Sequence, residues 1–130
     1  MSRSRILEIL AVGVLLAASA SADQLTWDIT GHFGDGGTIS GSFVYDADLN
    51  QFSSIDVTTS AGSVLSGALY TLHDPSYTPT PDFLLFATTT GDLTGTPVLS
   101  AGLVSAMTDA GGTIDLDTSG LSFSEESCID

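Results

Sequence analysis

The sequence predicts an all-β protein: an antiparallel β-sandwich or jelly-roll-like body of about seven to eight short strands, after an N-terminal signal helix. Three observations predict it. Apolar and polar residues alternate with period two in several short runs, so one face of each run is apolar and the other polar. The runs are separated by turns rich in Gly, Pro and Asp. Beyond the first 22 residues, Pro97–Met107 alone would also suit a helix, and a short one.

The chain opens on a basic stretch, Met1-Ser-Arg-Ser-Arg5, then Ile6–Ala18, apolar apart from Glu8, then the small residues Ala18, Ala20 and Ala22. This is the order of a secretory signal peptide cleaved after Ala22 or Ala20. Its apolar part is too short to cross a bilayer as a helix. An uncleaved amphipathic anchor is the other reading. Residues 1–22 are therefore expected to be a leader and residues 23–130 a single β-sandwich domain. The expected destination is the extracellular space or the cell envelope, with no stable membrane span after cleavage.

Both basic side chains of the 130-residue protein, Arg3 and Arg5, lie in that leader. Of its 16 acidic residues only Glu8 lies there, so 15 carboxylates remain in residues 23–130 against no Lys or Arg. Nucleic acids and anionic membranes are excluded as partners by charge repulsion. Extracellular polysaccharide and surface proteins are the partners left open. A buried carboxylate in such a chain must accept hydrogen bonds, bind a cation or stay protonated. The acidity serves solubility outside the cell or affinity for divalent cations, and the count alone does not choose. With Cys128 the only cysteine, no intramolecular disulfide forms. Its thiol is unpaired, joined to another molecule, or separated from a partner that an early chain end has removed.

The elements follow in order. Leu25–Gly31 sets Leu25, Trp27 and Ile29 against Thr26, Asp28 and Thr30, a first strand with Trp27 as core anchor. His32–Gly37 is a glycine turn. Thr38–Tyr45, the acidic turn Asp46–Gln51 and Phe52–Thr59 form the clearest hairpin. In its second strand Ile55, Val57 and Thr59 oppose Ser54, Asp56 and Thr58. Ala68–Leu72 is a short strand with Ala68, Tyr70 and Leu72 on one face. His73–Pro81 holds three prolines and must be an exposed connection, presenting Tyr77. Phe83–Thr89 is apolar on both parities and is expected to be central, covered on both sides. Pro97–Met107 would suit a short helix, but Gly102 and the surrounding pattern favour a strand. Thr113–Leu116 is a short strand, and Leu121–Ser124 another. Gly36-Gly37-Thr38-Ile39 recurs as Gly111-Gly112-Thr113-Ile114; shared turn chemistry explains this better than a duplicated half, because the following residues diverge.

Candidate chemistry is sparse. Asp46-Ala-Asp48-Leu-Asn50 places oxygen donors at alternate positions, as the opening of an EF-hand loop does. Gln51 and Val57 stand where that loop needs glycine and a bidentate glutamate, and no helices flank it. Asp46, Asp48 and Asn50 are the candidate calcium ligands; the competing role is to cap the turn with their own oxygens. His32 and His73 stand 41 residues apart without His or Cys companions at metal spacing. There is no Gly-x-Ser-x-Gly elbow and no lysine for a phosphate loop, and in Asp117-Thr-Ser-Gly120 a serine interrupts the aspartic-protease order. No catalytic residue and no cofactor site is assigned. Trp27, Phe43, Tyr45 and Phe83 are read as core rather than as a sugar-stacking platform.

The stretch Asp35-Gly-Gly-Thr-Ile-Ser-Gly-Ser-Phe-Val-Tyr-Asp-Ala-Asp48, then Ser54-Ile-Asp-Val-Thr-Thr-Ser60, resembles a recurrent part of secreted bacterial proteins of the PEP-CTERM group. Gly67-Ala-Leu-Tyr-Thr71, Asp109-Ala-Gly-Gly-Thr-Ile114 and Ser124-Glu-Glu-Ser-Cys128 are similar to later parts of those proteins. The resemblance covers most of residues 26–128. It implies export and, in that group, frequent sorting at the envelope by an exosortase in bacteria that make exopolysaccharide; it implies no catalytic residue. The chain departs from that pattern after Cys128, with Ile129-Asp130 in place of a Pro-Glu-Pro signal, an apolar span and a basic tail. Simple secretion, or a chain cut short, is expected instead. The expected function is that of a secreted extracellular or surface-matrix protein without enzymatic activity. The alternatives are a calcium-dependent carbohydrate-binding module and a small hydrolase with an unrecognised site.

Overall fold

The computed structural model describes residues 24–119 and 123–127. The expected leader, its cleavage at Ala22 or Ala20, the start of the Leu121 strand and Cys128 lie outside the described residues. Within them the protein is all-β, with eight strands in two antiparallel four-stranded sheets and no helix. β1 (Leu25–His32), β2 (Thr38–Asp46), β3 (Gln51–Thr59) and β4 (Leu69–Tyr70) form the first sheet in that order. β5 (Leu72–His73), β6 (Phe83–Ala87), β7 (Pro97–Gly102) and β8 (Phe123–Ser127) form the second. Each sheet is a meander, so sandwich, of the two architectures expected, describes it. The short strand expected over Ala68–Leu72 divides at Thr71: Tyr70 pairs with Val57 in one sheet and Leu72 with Ala87 in the other. A strand that changes sheets at a bend makes the corner of the sandwich.

The period-two pattern sets the burial. In β3, Ile55, Val57 and Thr59 are buried and Ser54, Asp56 and Thr58 exposed. Strict alternation would put Phe52 on the exposed side with Ser54. A β-bulge prevents that. Ser42 pairs with Asp56 but Val44 with Ser53, so β3 carries one extra residue, and Ser54 takes the left-handed region at φ 47°. The slip turns Phe52 inward, where its ring lies 5.7 Å from Phe43 and 5.6 Å from Phe86, both edge-on. Phe43 of β2 also meets Phe86 of β6 at 5.4 Å, so these aromatic contacts join the two sheets. Burying each such ring contributes roughly 1.5–3 kcal/mol.

The core needs close backbone approach at Gly41, which pairs with Ile29 on one side and Val57 on the other. Its φ is 143°, and a Cβ there would stand 2.1 Å from the Asp56 carbonyl oxygen. A polar tie crosses the sheets further along. Glu125 of β8 accepts hydrogen bonds from Thr59 Oγ1 of β3 and, at 2.5 Å, from Tyr70 Oη of β4. Tyr70 is wholly buried, and burial, then the bond to Glu125, pushes its hydroxyl far above the ordinary tyrosine range.

The strand expected over Pro97–Met107 ends at Gly102. Met107 is buried all the same, anchored by its N–H on the Pro81 carbonyl at 2.8 Å. Thr113–Leu116 forms no strand. It makes a single bridge, Leu116 to Leu103, flanked by hydrogen bonds from Val104 N–H to Asp115 O (3.0 Å) and from Asp117 N–H to Gly102 O (2.8 Å).

Candidate binding cleft

The first sheet ends at β1, and the second is prolonged past β7 by the Leu103–Leu116 bridge. These two margins run alongside each other and touch at both ends. Leu116 and Phe123 close over Gly31, where an added methyl group would meet the Leu116 Cδ1 at 3.0 Å; Leu25 closes over Gly111, 3.5 Å from such a group. Between the two contacts the sandwich stays open as a cleft of about 650 Å³. Among the described residues no backbone hydrogen bond spans it.

The alternation of β1 builds one wall. Trp27 and Ile29 point inward and line the cleft with Phe43 of β2 and Leu84 of β6. Leu103 and Met107 complete the apolar floor. The lips are polar: Thr26, Asp28 and Thr30 on the β1 side, and Thr113, Asp115 and Thr118 opposite, all exposed. Trp27 is half-buried, between the core anchor expected of it and a surface group, and its indole Nε1 is buried without a hydrogen-bond partner among the described residues. An unmade bond to a buried donor costs about 1–3 kcal/mol.

The candidate calcium ligands lie in the β2–β3 turn. Asp46 is buried, and its Oδ1 accepts the N–H groups of Asp48 (3.1 Å) and Leu49 (2.9 Å), while Gln24 approaches Oδ2 at 3.5 Å. Asn50 adopts φ 53°, a region asparagine tolerates well. Its Oδ1 accepts from Tyr45 Oη at 2.6 Å, and its Nδ2 donates to the Pro79 carbonyl, which pins the proline connection to the turn. Burial first, then the charge of Asp46, raises the Tyr45 hydroxyl above its ordinary range. Asp48 is exposed. Asp46 and Asn50 thus hold the turn through their own oxygens. Among the described residues, no three or more His, Cys, Asp and Glu side chains gather as a metal site.

His32 is exposed at the end of β1, and His73 is half-buried in β5, stacked on Phe52 at 5.2 Å. Desolvation lowers the His73 imidazole below its ordinary value against the opposing pull of Asp74, and its Nε2 is buried without a partner among the described residues. Neither histidine lines the cleft. Phe43 and Tyr45 are core, as expected, and Tyr77 is exposed, touching Phe83 at 5.9 Å.

A second, smaller hollow of about 220 Å³ lies by Phe33, Asp35, Val64 and Glu125. Asp35 there accepts N–H bonds from Gly37 (3.0 Å) and Val64 (3.2 Å), which hold its carboxyl below the usual range. No protein-family model matches the chain, and no curated protein or solved structure is significantly similar to it.

Proposed function

We propose that this chain is a secreted extracellular or surface-matrix protein, without enzymatic activity, that acts by holding a ligand in the cleft between its sheet margins. The observation that carries the reading is the cleft itself. It falls in the size range of ligand sites and combines an apolar floor with a few convergent polar groups at the rim. Its titratable side chains, Asp28 and Asp115, have no histidine or cysteine beside them in the lining to complete a nucleophile–base pair. The likeness of the Asp35–Ser60 stretch to exported PEP-CTERM-type proteins, and the leader-like order of residues 1–22, support the extracellular setting.

The test is an NMR screen of the ¹⁵N-labelled protein against small neutral, anionic, cationic and apolar compounds, beside a panel of ester, peptide and glycoside substrates. Binders are expected to move the amide signals of residues 26–30 and 112–116 together, with no substrate turned over. Binding that leaves both segments untouched, or turnover that persists through purification, would overturn the reading.

A further inference from the structure

We infer that the cleft takes a neutral, hydroxyl-rich ligand of the saccharide class; this rests on the reading of the chain as a ligand-holding protein. Charge narrows the field first. Residues 23–130 contain no Lys or Arg, and the two lips present Asp28 and Asp115. A phosphorylated, sulfated or carboxylated ligand would meet like charge on both sides with no counter-charge to offset it.

Hydrogen bonding narrows it further. The two carboxylates only accept, whereas the rim hydroxyls of Thr26, Thr30, Thr113 and Thr118 both donate and accept. A ligand complementary to that set must bring hydrogen-bond donors for the aspartates and acceptors for the threonines. A polyhydroxyl ring brings both from each carbon it presents. Its C–H faces suit the apolar floor of Trp27, Ile29 and Leu103, as sugar rings suit aromatic and aliphatic surfaces.

The Trp27 indole is the independent sign. Its N–H is a buried donor that lacks an acceptor, on a side chain that lines the cleft. A ligand oxygen would supply one once the ring turns to bring that N–H to the cleft surface. An extended peptide would instead spend its backbone N–H groups on the open margin of β1.

One signal reports the outcome directly. The protein has a single tryptophan, so the full chain gives one indole N–H resonance. That resonance is followed during titration with neutral tetrasaccharides of glucose, xylose and N-acetylglucosamine. A tetragalacturonate and a neutral Thr/Val heptapeptide serve as the contrasting probes. At least one neutral saccharide is expected to shift the indole and the Thr113 and Asp115 amides saturably. Asp115→Asn and Thr113→Val, both on the exposed lip, should each weaken it roughly tenfold, the worth of one hydrogen bond to a polar ligand, with the melting temperature unchanged. The inference falls if no neutral saccharide moves the indole at millimolar concentration, if the uronate binds as tightly, or if the peptide alone binds. Small-molecule binding in the cleft without saccharide binding refutes this inference alone; a cleft that binds nothing refutes the broader reading as well.

Discussion

Replacing Tyr70 by phenylalanine removes one oxygen atom from the interior and leaves the ring that fills it. That oxygen donates to Glu125 at 2.5 Å from a side chain with no exposed surface, so no water takes its place. A hydrogen bond to a charged group contributes about 1.5–3 kcal/mol. Thr59 still donates to the same carboxylate oxygen, which keeps the loss in the lower part of that range, about 2 kcal/mol. For a domain of this size the melting temperature should fall by roughly 8–16 °C. Urea unfolding followed by Trp27 fluorescence measures it, with an unchanged m-value as the sign that only stability moved. Thr59→Val shares the acceptor, so the double variant should depart from additivity. The pH dependence supplies a second check. The folded-state pKa of Tyr70 is raised above its unfolded value near 10 by burial and by Glu125. Between those two values the folded chain holds a proton that the unfolded chain has lost. The associated stability is complete below pH 10 and drains away as pH rises beyond it. Tyr70→Phe should make that alkaline decline shallower, leaving the share that the raised Tyr45 hydroxyl contributes. A loss below about 0.5 kcal/mol at pH 7, or an alkaline slope identical in both proteins, would refute the role given to this inter-sheet tie.

Three further outcomes are expected. Gly41→Ala should destabilise by about 2–4 kcal/mol by urea titration, because its φ of 143° is strained for alanine and the new Cβ meets backbone rather than a side chain that could yield; a loss under 1 kcal/mol would show that β2 and β3 are further apart there. His73 has a folded pKa lowered by burial, so the unfolded chain binds the extra proton and stability should drop as pH falls through about 6.5. His73→Phe should flatten that acid limb, and an unchanged slope would place the titrating group elsewhere. Calcium and magnesium at matched ionic strength should give the same melting temperature. Asp46→Ala should lower it equally in both by removing two turn hydrogen bonds, about 1–2 kcal/mol, and a calcium-specific rise would return Asp46, Asp48 and Asn50 to a metal role.

The first three strands were legible in the sequence because each buries one face, and a half-buried strand writes that fact as alternation. Leu25, Trp27 and Ile29, or Ile55, Val57 and Thr59, are chosen by the core one residue in two. The bulge at Ser54 was not legible. One additional residue leaves no period behind it, and serine is not the residue expected at positive φ. The inward turn of Phe52 therefore had to come from the pairing register. Ala68–Leu72 kept its alternation, with Tyr70 buried between exposed Leu69 and Thr71, while the change of sheet at Thr71 left no mark in residue type. Thr113–Leu116 misled because strand-like residues there pair through one bridge only. Turn capping was one of two roles the spacing allowed; Asp46 caps two N–H groups of the turn, while the Asn50 oxygen takes the Tyr45 hydroxyl. The cleft was hidden altogether. Trp27 and Thr113 are 86 positions apart in the chain, and only the meeting of two sheet margins brings them to one site.

Thr71 has a consequence of another kind. Among the described residues, every strand before it belongs to one sheet and every strand after it to the other, so the backbone passes between the two sheets at this residue. A chain cut there would yield two pieces, each carrying a whole sheet with its own hydrogen-bond ladder, that meet through their apolar faces and the bonds of Glu125 to Thr59 and Tyr70. The same arrangement permits two copies to trade second halves about that hinge while keeping each contact of the sandwich, the cleft included. The interwoven pair would differ from two separate molecules solely in the path of the backbone at Thr71, which is the geometry of domain exchange.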